Sequence, residues 1–307
     1  MMYSISVIRT DAVPIVAVEC AGKYYPVNTL VPGLISRPER GTLDLLENWE
    51  TTEAALQEAI EALAGHPVPA LPPPSPADFA APILYPSKII CTGTNYYDHL
   101  RKDMKIFDFD KSNHDILFFQ KHQHAMVGSG RSVRYPSQSR QLDWEVELAV
   151  IFGKAGRHIE PQHALSYVAG YSIGLDLSAR DWQFNPRHPK QFDLITGKSF
   201  DDSAPMGPGI VPARFVDPTR LELKLSVNGA LKQHSNTGEM IWSIEEQIVE
   251  LSRHMSIRPG DVLFTGSPSG VGFATQEFLA IGDRITAEIT GLGSLRIDII
   301  SEDASAG

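Results

Sequence analysis

The sequence predicts an α+β fold, mostly β: a small N-terminal α+β domain at 1–65, a proline-rich linker at 66–84 and a larger strand-rich domain at 85–307. Three observations carry this reading. Beyond residue 85 most apolar runs are short and strand-like in composition. Helical periodicity is confined to a few segments and does not alternate regularly with strands, which argues against a doubly wound parallel sheet. Between the two parts, HPVPALPPPSP (66–76) holds six prolines and cannot continue a helix or a central strand. It reads as a stiff linker, with a surface-wrapped loop as the alternative.

In chain order, YSISVIR and PIVAVEC read as short strands. TTEAALQEAIEALAG reads as a helix with Leu56, Ile60 and Leu63 on one face and Gly65 able to stop it. After the linker, KIICTGT, ILFFQKH, LDWEVELAV, LELKLSVNG and DRITAEITGLGSLRIDII are β-like, the last with a hairpin around Gly291 and Gly293. A short helix is expected over PQHALSYVAG. IWSIEEQIVELSRHM is the clearest helix: Ser243 and Glu246 form a capping box, Ile244, Ile248, Leu251 and Met255 make the apolar stripe, and Pro259 and Gly260 close it.

Composition narrows the function. With 307 residues the chain builds one large or two ordinary domains. A net charge of −10 disfavours binding to a nucleic-acid backbone. Cys20 and Cys91 make no disulfide framework and fit a reducing cytoplasm. No signal peptide is visible, and no apolar run approaches the ~20 residues that span a bilayer. The expectation is a cytoplasmic protein with no nucleic-acid or membrane partner.

The chemistry is concentrated in LDWEVELAV (142–150). Strand residues at i and i+2 share a face, so Glu145 and Glu147 point together, with Cα atoms about 6.5–7 Å apart, while Leu142, Trp144, Val146, Leu148 and Val150 keep the other face apolar. Two like charges there need either solvent or a bound cation. Asp176, in the apolar stretch YSIGLDLSARDWQ, is a third acid in an unfavourable place for a lone charge. Three carboxylates form a hard oxygen site, suited to Mg²⁺ or Mn²⁺ rather than zinc. The alternative is an exposed strand face with Asp176 beginning a turn. In CTGTNYYDHLRKDM, Asn95 is positioned to cap a helix and His99 falls in its first turns at the mouth of a sheet, a common location for a general base. Asp103 at i+4 is placed to orient it. His122 and His124 in KHQH lack a third ligand in register and read as ordinary strand histidines. The glycines of VGSGR and TGSPSGVG read as turn formers. FDFDKSNH (107–114) and NPRHPKQFD (185–193) read as loops near the site.

The ordered motifs KIICTGTNYYDHL, LDWEVELAVIFGK, YVAGYSIGLDLSARDWQ, GKSFDDSAPMGP, VNGALKQHSNTGEMIWS and RPGDVLFTGSPSGVGF resemble the fumarylacetoacetate hydrolase family over roughly residues 85–300. The resemblance implies a mixed β-sandwich or roll for the C-terminal domain; the N-terminal unit is similar to a small domain appended in some members. It implies that Glu145, Glu147 and Asp176 bind one divalent cation, Mg²⁺ or Mn²⁺. It implies catalytic roles for His99 and Lys198, and substrate contacts for Arg180, Gln183, Lys121 and Ser267. Many members carry a glutamate three residues after the histidine. Here that position is Lys102, and Asp103, rotated by about 100° on a helix, is the candidate replacement. Where the family often has threonine in its TGTP segment, this chain has Ser267.

The expected function is a metal-dependent hydrolase cleaving a C–C bond in a small 2,4-dioxo acid of the acylpyruvate or fumarylacetoacetate type, as in aromatic catabolism. The alternative within the family is a 2-oxo acid isomerase or decarboxylase, favoured by the loss of the glutamate at Lys102. A non-catalytic ligand-binding protein is the alternative from another class. The resemblance also implies a homodimer, for which the many apolar strands and few covering helices give a physical motive.

Overall fold

Period-two alternation makes the strands, but they assemble far out of chain order. The computed structural model describes residues 1–66 and 68–303; Pro67 of the proline-rich segment and residues 304–307 lie outside the described residues. The N-terminal strands are β1 (Ser4–Ile8), β2 (Ile15–Cys20) and β3 (Lys23–Pro26). Next come β4 (Ile89–Gly93), β5 (Leu117–Lys121), β6 (Met126–Val127), β7 (Arg131–Tyr135), β8 (Leu142–Asp143) and β9 (Val146–Phe152). They are followed by β10 (Val168–Leu175), β11 (Ser178–Ala179), β12 (Ala204–Pro212), β13 (Glu222–Val227) and β14 (Ala230–Asn236). The last three are β15 (Val262–Phe264), β16 (Arg284–Ile289) and β17 (Gly293–Ser301).

Ten strands form one sheet in the order β3-β2-β1-β12-β10-β9-β15-β4-β5, with β6 pairing on β12. A second sheet runs β14-β13-β16-β17-β7, and β8 pairs with β11. The fold is thus α+β and strand-rich, with two sheets packed face to face. Alternation along β9 shows how the layers divide. Leu148, Val150 and Phe152 enter a core shared with Leu223, Leu225, Ile285 and Ile297 of the second sheet. Ala149 and Ile151 enter the opposite core, against the N-terminal strands and Leu56 and Ile60 of the helix Trp49–Ala62. Both faces of β9 are therefore buried, not one as the sequence suggested.

β1 lies beside β12, so the N-terminal strands extend the main sheet and share a core with Ile89, Cys91 and Phe264. The proline-rich segment lies along them: Leu71 N–H donates to the Tyr24 carbonyl at 2.7 Å and Ala80 N–H to the Val7 carbonyl at 2.9 Å. This is the surface-wrapped alternative to a spacer. The sequence gives no hint of β12, whose Pro205, Pro208 and Pro212 donate no ladder hydrogen bonds. The helix Ile244–His254 carries the expected Ser243/Glu246 capping box but stops at His254, before Pro259 and Gly260. PQHALSY forms a 3₁₀ helix.

Candidate active site

Strand register assembles the acids. β10 runs antiparallel to β9 with Gly174 opposite Glu147 and Leu175 opposite Val146. One step further, the Asp176 N–H donates to the Glu145 carbonyl at 2.9 Å, which sets Asp176 opposite Glu145. Residues directly opposite share a face, and Gly174 adds no side chain across from Glu147. Carboxylate oxygens of Glu145, Glu147 and Asp176 lie within 4.8 Å of one another, and all three residues are buried. Solvent therefore does not resolve their repulsion, and the exposed-face reading is excluded. Among the described residues this is the only group of three acidic, histidine or cysteine side chains at metal-ligand spacing. His122 and His124 do not join it, and His124 lies in a 3₁₀ turn beyond β5. An all-oxygen donor set of this kind fits a hard divalent cation.

Cations of the chain surround the triad. Lys198, at the end of the short helix Leu194–Lys198, bonds the Glu145 carboxylate and lies 2.6 Å from Asp176 Oδ2. Arg180 reaches Glu145 Oε1 at 2.6 Å, Asp143 Oδ2 at 2.8 Å and Gln183 Oε1 at 3.1 Å. Lys121 is fully buried 2.7 Å from Asp176 Oδ1, and its ammonium also donates to the carbonyls of Leu177, Lys198 and Ser203. It is not on the cavity wall, so the substrate contact expected of Lys121 is replaced by a post beneath Asp176. The buried set holds four carboxylates, with Asp143, against three cations, leaving one negative charge over.

That imbalance falls most heavily on Glu147, which forms no ion pair among the described residues, although burial also raises Asp143 against the pull of Arg180. Burial, then Asp176 and Glu145, pushes the Glu147 carboxyl well above the usual range. Burial also acts to raise Glu145, but Arg180 and Lys198 outweigh it and hold that carboxyl well below. For Lys198 burial favours the neutral form, yet Asp176 and Glu145 outweigh it and keep the ammonium charged.

His99 stands in the helix Tyr97–Lys102 immediately after β4. Its Nδ1 lies 2.7 Å from Asp103 Oδ2, the residue that closes the helix. Asp103 in turn accepts the Gly270 N–H at 3.0 Å. Lys102 is turned away, its side chain 65% exposed. Asp103 is thus the carboxylate that touches His99. Asn95 does not cap the helix; its amide ties the Trp242 N–H and the carbonyls of Trp242 and Thr265 together.

The triad, His99, Asp103, Lys198, Arg180, Gln183 and Ser267 all line one cavity of about 490 Å³. Ser267 Oγ accepts from Gln233 at 2.9 Å. Two features of the site were missed. Asp143 precedes the pair in a D-x-E-x-E alternation, visible as a third acid on the same face; it anchors Arg180 and the N–H groups of Gly272 and Phe273. The glycines of TGSPSGVG do more than turn the chain: Gly266 N–H holds Glu147 Oε2 at 2.5 Å, as Gly270 N–H holds Asp103. At Gly266, φ is +99° and a Cβ would fall 2.6 Å from Asn95 Cβ, so a side chain is excluded there. Of the loops expected near the site, 185–193 contributes Phe192 to the wall. In 107–114, Phe109 instead stacks on His114 and packs edge-on against Trp242.

Known proteins are similar to the chain in sequence and in overall fold. The chain is 38% identical over 275 residues to a mitochondrial oxaloacetate tautomerase of Rattus norvegicus, covering 89% of this chain and 82% of that one. A fumarylacetoacetate hydrolase from Exiguobacterium antarcticum superimposes with a TM-score of 0.82 at 30% identity, over 98% of this chain and 100% of that one. A fumarylpyruvate hydrolase from Pseudomonas aeruginosa, in complex with Mn²⁺ and pyruvate, gives a TM-score of 0.63 at 34% identity, over 72% and 92%. The fumarylacetoacetate (FAA) hydrolase C-terminal family description matches residues 88–300. The chain belongs to the fumarylacetoacetate hydrolase family of enzymes.

Proposed function

We propose that the cavity forms an enolate from a small 2-oxo or 2,4-dioxo carboxylic acid and that its reaction is keto–enol proton transfer beside the keto group. The observation that carries this is the convergence of an imidazole–carboxylate pair, a buried ammonium and a carboxylate triad on one cavity. Glu145, Glu147 and Asp176 would hold a divalent cation, Mg²⁺ or Mn²⁺, which would supply Lewis-acid stabilisation of negative charge on the keto oxygen. His99, held through Nδ1, has Nε2 as its remaining basic nitrogen and takes the proton from the carbon beside the keto group. Asp103 fixes the ring. The Lys198 ammonium stabilises the negative charge of the enolate, and the proton held on His99 is returned to the enolate oxygen, which gives the enol and restores the base. Arg180 positions Glu145, and Gln183 and Ser267 offer uncharged contacts to substrate oxygens. Every one of these groups serves a single proton-transfer cycle. The tautomerase activity named for the rat relative supports the same choice.

C–C hydrolysis, the leading expectation from sequence, stands as the second reading. The His99–Asp103 distance of 2.7 Å favours it, because such a pair also activates water. Incubating oxaloacetate, 2-oxo acids and 2,4-dioxo acids with Mg²⁺ or Mn²⁺ and identifying products by NMR separates the readings. Tautomer interconversion without cleavage supports the first, and release of pyruvate from dioxo acids supports the second. Neither outcome with any acid would leave a ligand-binding protein and overturn both.

A further inference from the structure

The same cavity has a second, uncharged half. Five of the chain's exposed large apolar side chains, Met104, Leu117, Phe184, Phe192 and Phe273, line it. They come from four separated segments, so no single amphipathic element accounts for them. Phe184 stacks on Phe273, with ring centroids 5.2 Å apart and planes 24° apart, and packs against Phe192 at 5.5 Å. This aromatic cluster adjoins the charged half directly: the Arg180 guanidinium carbon lies 5.6 Å from the Phe273 ring, and Phe184 follows Gln183 in the chain. Apolar rings left exposed at the mouth of a cavity are surface that a ligand removes from water.

The cavity is also poor in charge for a second anionic group. Among the described residues lining it, the cations are Arg180 and Lys198, and each already bonds two carboxylates. His99 is held by Asp103. Thr92, Thr94 and Ser267 add hydroxyl groups but no charge. A terminal carboxylate placed against the three phenylalanines would lose water and gain no counter-ion.

Resting on the reading of this site as an enolate-forming centre for 2-oxo acids, we infer that its substrates are monocarboxylic 2,4-dioxo acids with an apolar, preferably aromatic, distal arm, seated against Phe184, Phe192 and Phe273. The three rings select the arm and the charged half receives the dioxo-acid head.

The test uses three 2,4-dioxo acids with one head and different arms: methyl (acetylpyruvate), phenyl (benzoylpyruvate) and carboxymethyl (2,4-dioxohexanedioic acid). Affinity for the Mn²⁺-loaded enzyme is measured by calorimetry, and turnover by the rate at which the dioxo chromophore relaxes to its keto–enol equilibrium. Burying the phenyl arm should tighten binding by about 10- to 100-fold over the methyl arm, and the carboxymethyl arm should bind no better than methyl. Phe192→Arg should weaken the phenyl acid at least tenfold and tighten the dicarboxylic acid. Phe184→Ala should weaken the phenyl acid more than it weakens acetylpyruvate, and so lower the phenyl-to-methyl affinity ratio. Binding of the dicarboxylic acid by the unaltered protein as tightly as the phenyl acid overturns the inference, as do affinity ratios unmoved by both substitutions. The phenyl preference in binding without any turnover supports the arm site and refutes the proposed reaction. Turnover without the preference does the reverse.

Discussion

Replacing Glu147 by Gln should stabilise the metal-free protein and remove its response to metal. The buried cluster has one carboxylate more than it has cations; Asp143, raised by burial, is paired with Arg180, whereas Glu147, pushed well up by burial, Asp176 and Glu145, forms no ion pair among the described residues. A folded pKa above the unfolded value of 4.5 means that the native state holds a proton the unfolded chain has released. Stability from this group is then complete below pH 4.5 and is lost as pH rises through the folded value. Within that window stability falls by about 1.4 kcal/mol for each pH unit. Glutamine keeps an oxygen for the Gly266 N–H and carries no charge. Urea unfolding in chelator, followed by tryptophan fluorescence at pH 5 and pH 8, measures the effect. The gain of Glu147→Gln over the parent should be small at pH 5 and clearly larger at pH 8. Saturating Mn²⁺, at about 100 times Kd, should stabilise the parent by roughly 2.7 kcal/mol and the variant far less. A variant that is less stable than the parent in chelator at pH 8, and still stabilised by Mn²⁺, would refute the charge accounting.

Asp103→Asn should lower turnover about 10- to 1,000-fold, since it removes the charge that holds His99, whereas Lys102→Ala should stay within about twofold. Steady-state kinetics on the two variants checks this, and the reverse pattern would restore position 102 to the mechanism. Lys198→Met leaves Glu145 and Asp176 without their shared ammonium. It should cost the metal-free protein about 3–5 kcal/mol in urea unfolding and largely abolish turnover. Light scattering should find a homodimer, at twice the 33.8 kDa chain mass; a monomer at all working concentrations would contradict the dimer implied by the family.

Much of the site was legible because its chemistry is local. Glu145 and Glu147 share a face by strand periodicity alone, and His99 and Asp103 meet by helical spacing. The capping box at Ser243 is equally local. What was not legible depends on distant pairing. β12 hides behind three prolines, yet it joins the N-terminal strands to the catalytic sheet, so the proline-rich segment divides the sequence more clearly than it divides the packing. Lys121 sits under Asp176 only because β5 and the turn after β10 meet in space. The Gly266 and Gly270 N–H groups reach Glu147 and Asp103 across more than a hundred residues of chain. No residue-level rule assigns those contacts. Asp143 is the exception: the D-x-E-x-E alternation displayed it, and reading the acids as a pair passed over it.

Deuterium uptake at C3 of pyruvate in D₂O, followed by proton NMR, tests the central claim most directly, because it reports enolate formation whether or not any bond is later cleaved. The account predicts enzyme-dependent exchange that chelator abolishes, that Mg²⁺ or Mn²⁺ restores, and that falls about 10²- to 10⁴-fold in His99→Ala while metal affinity is unchanged. Exchange that never rises above the metal-only background, or that persists undiminished in His99→Ala, would contradict it.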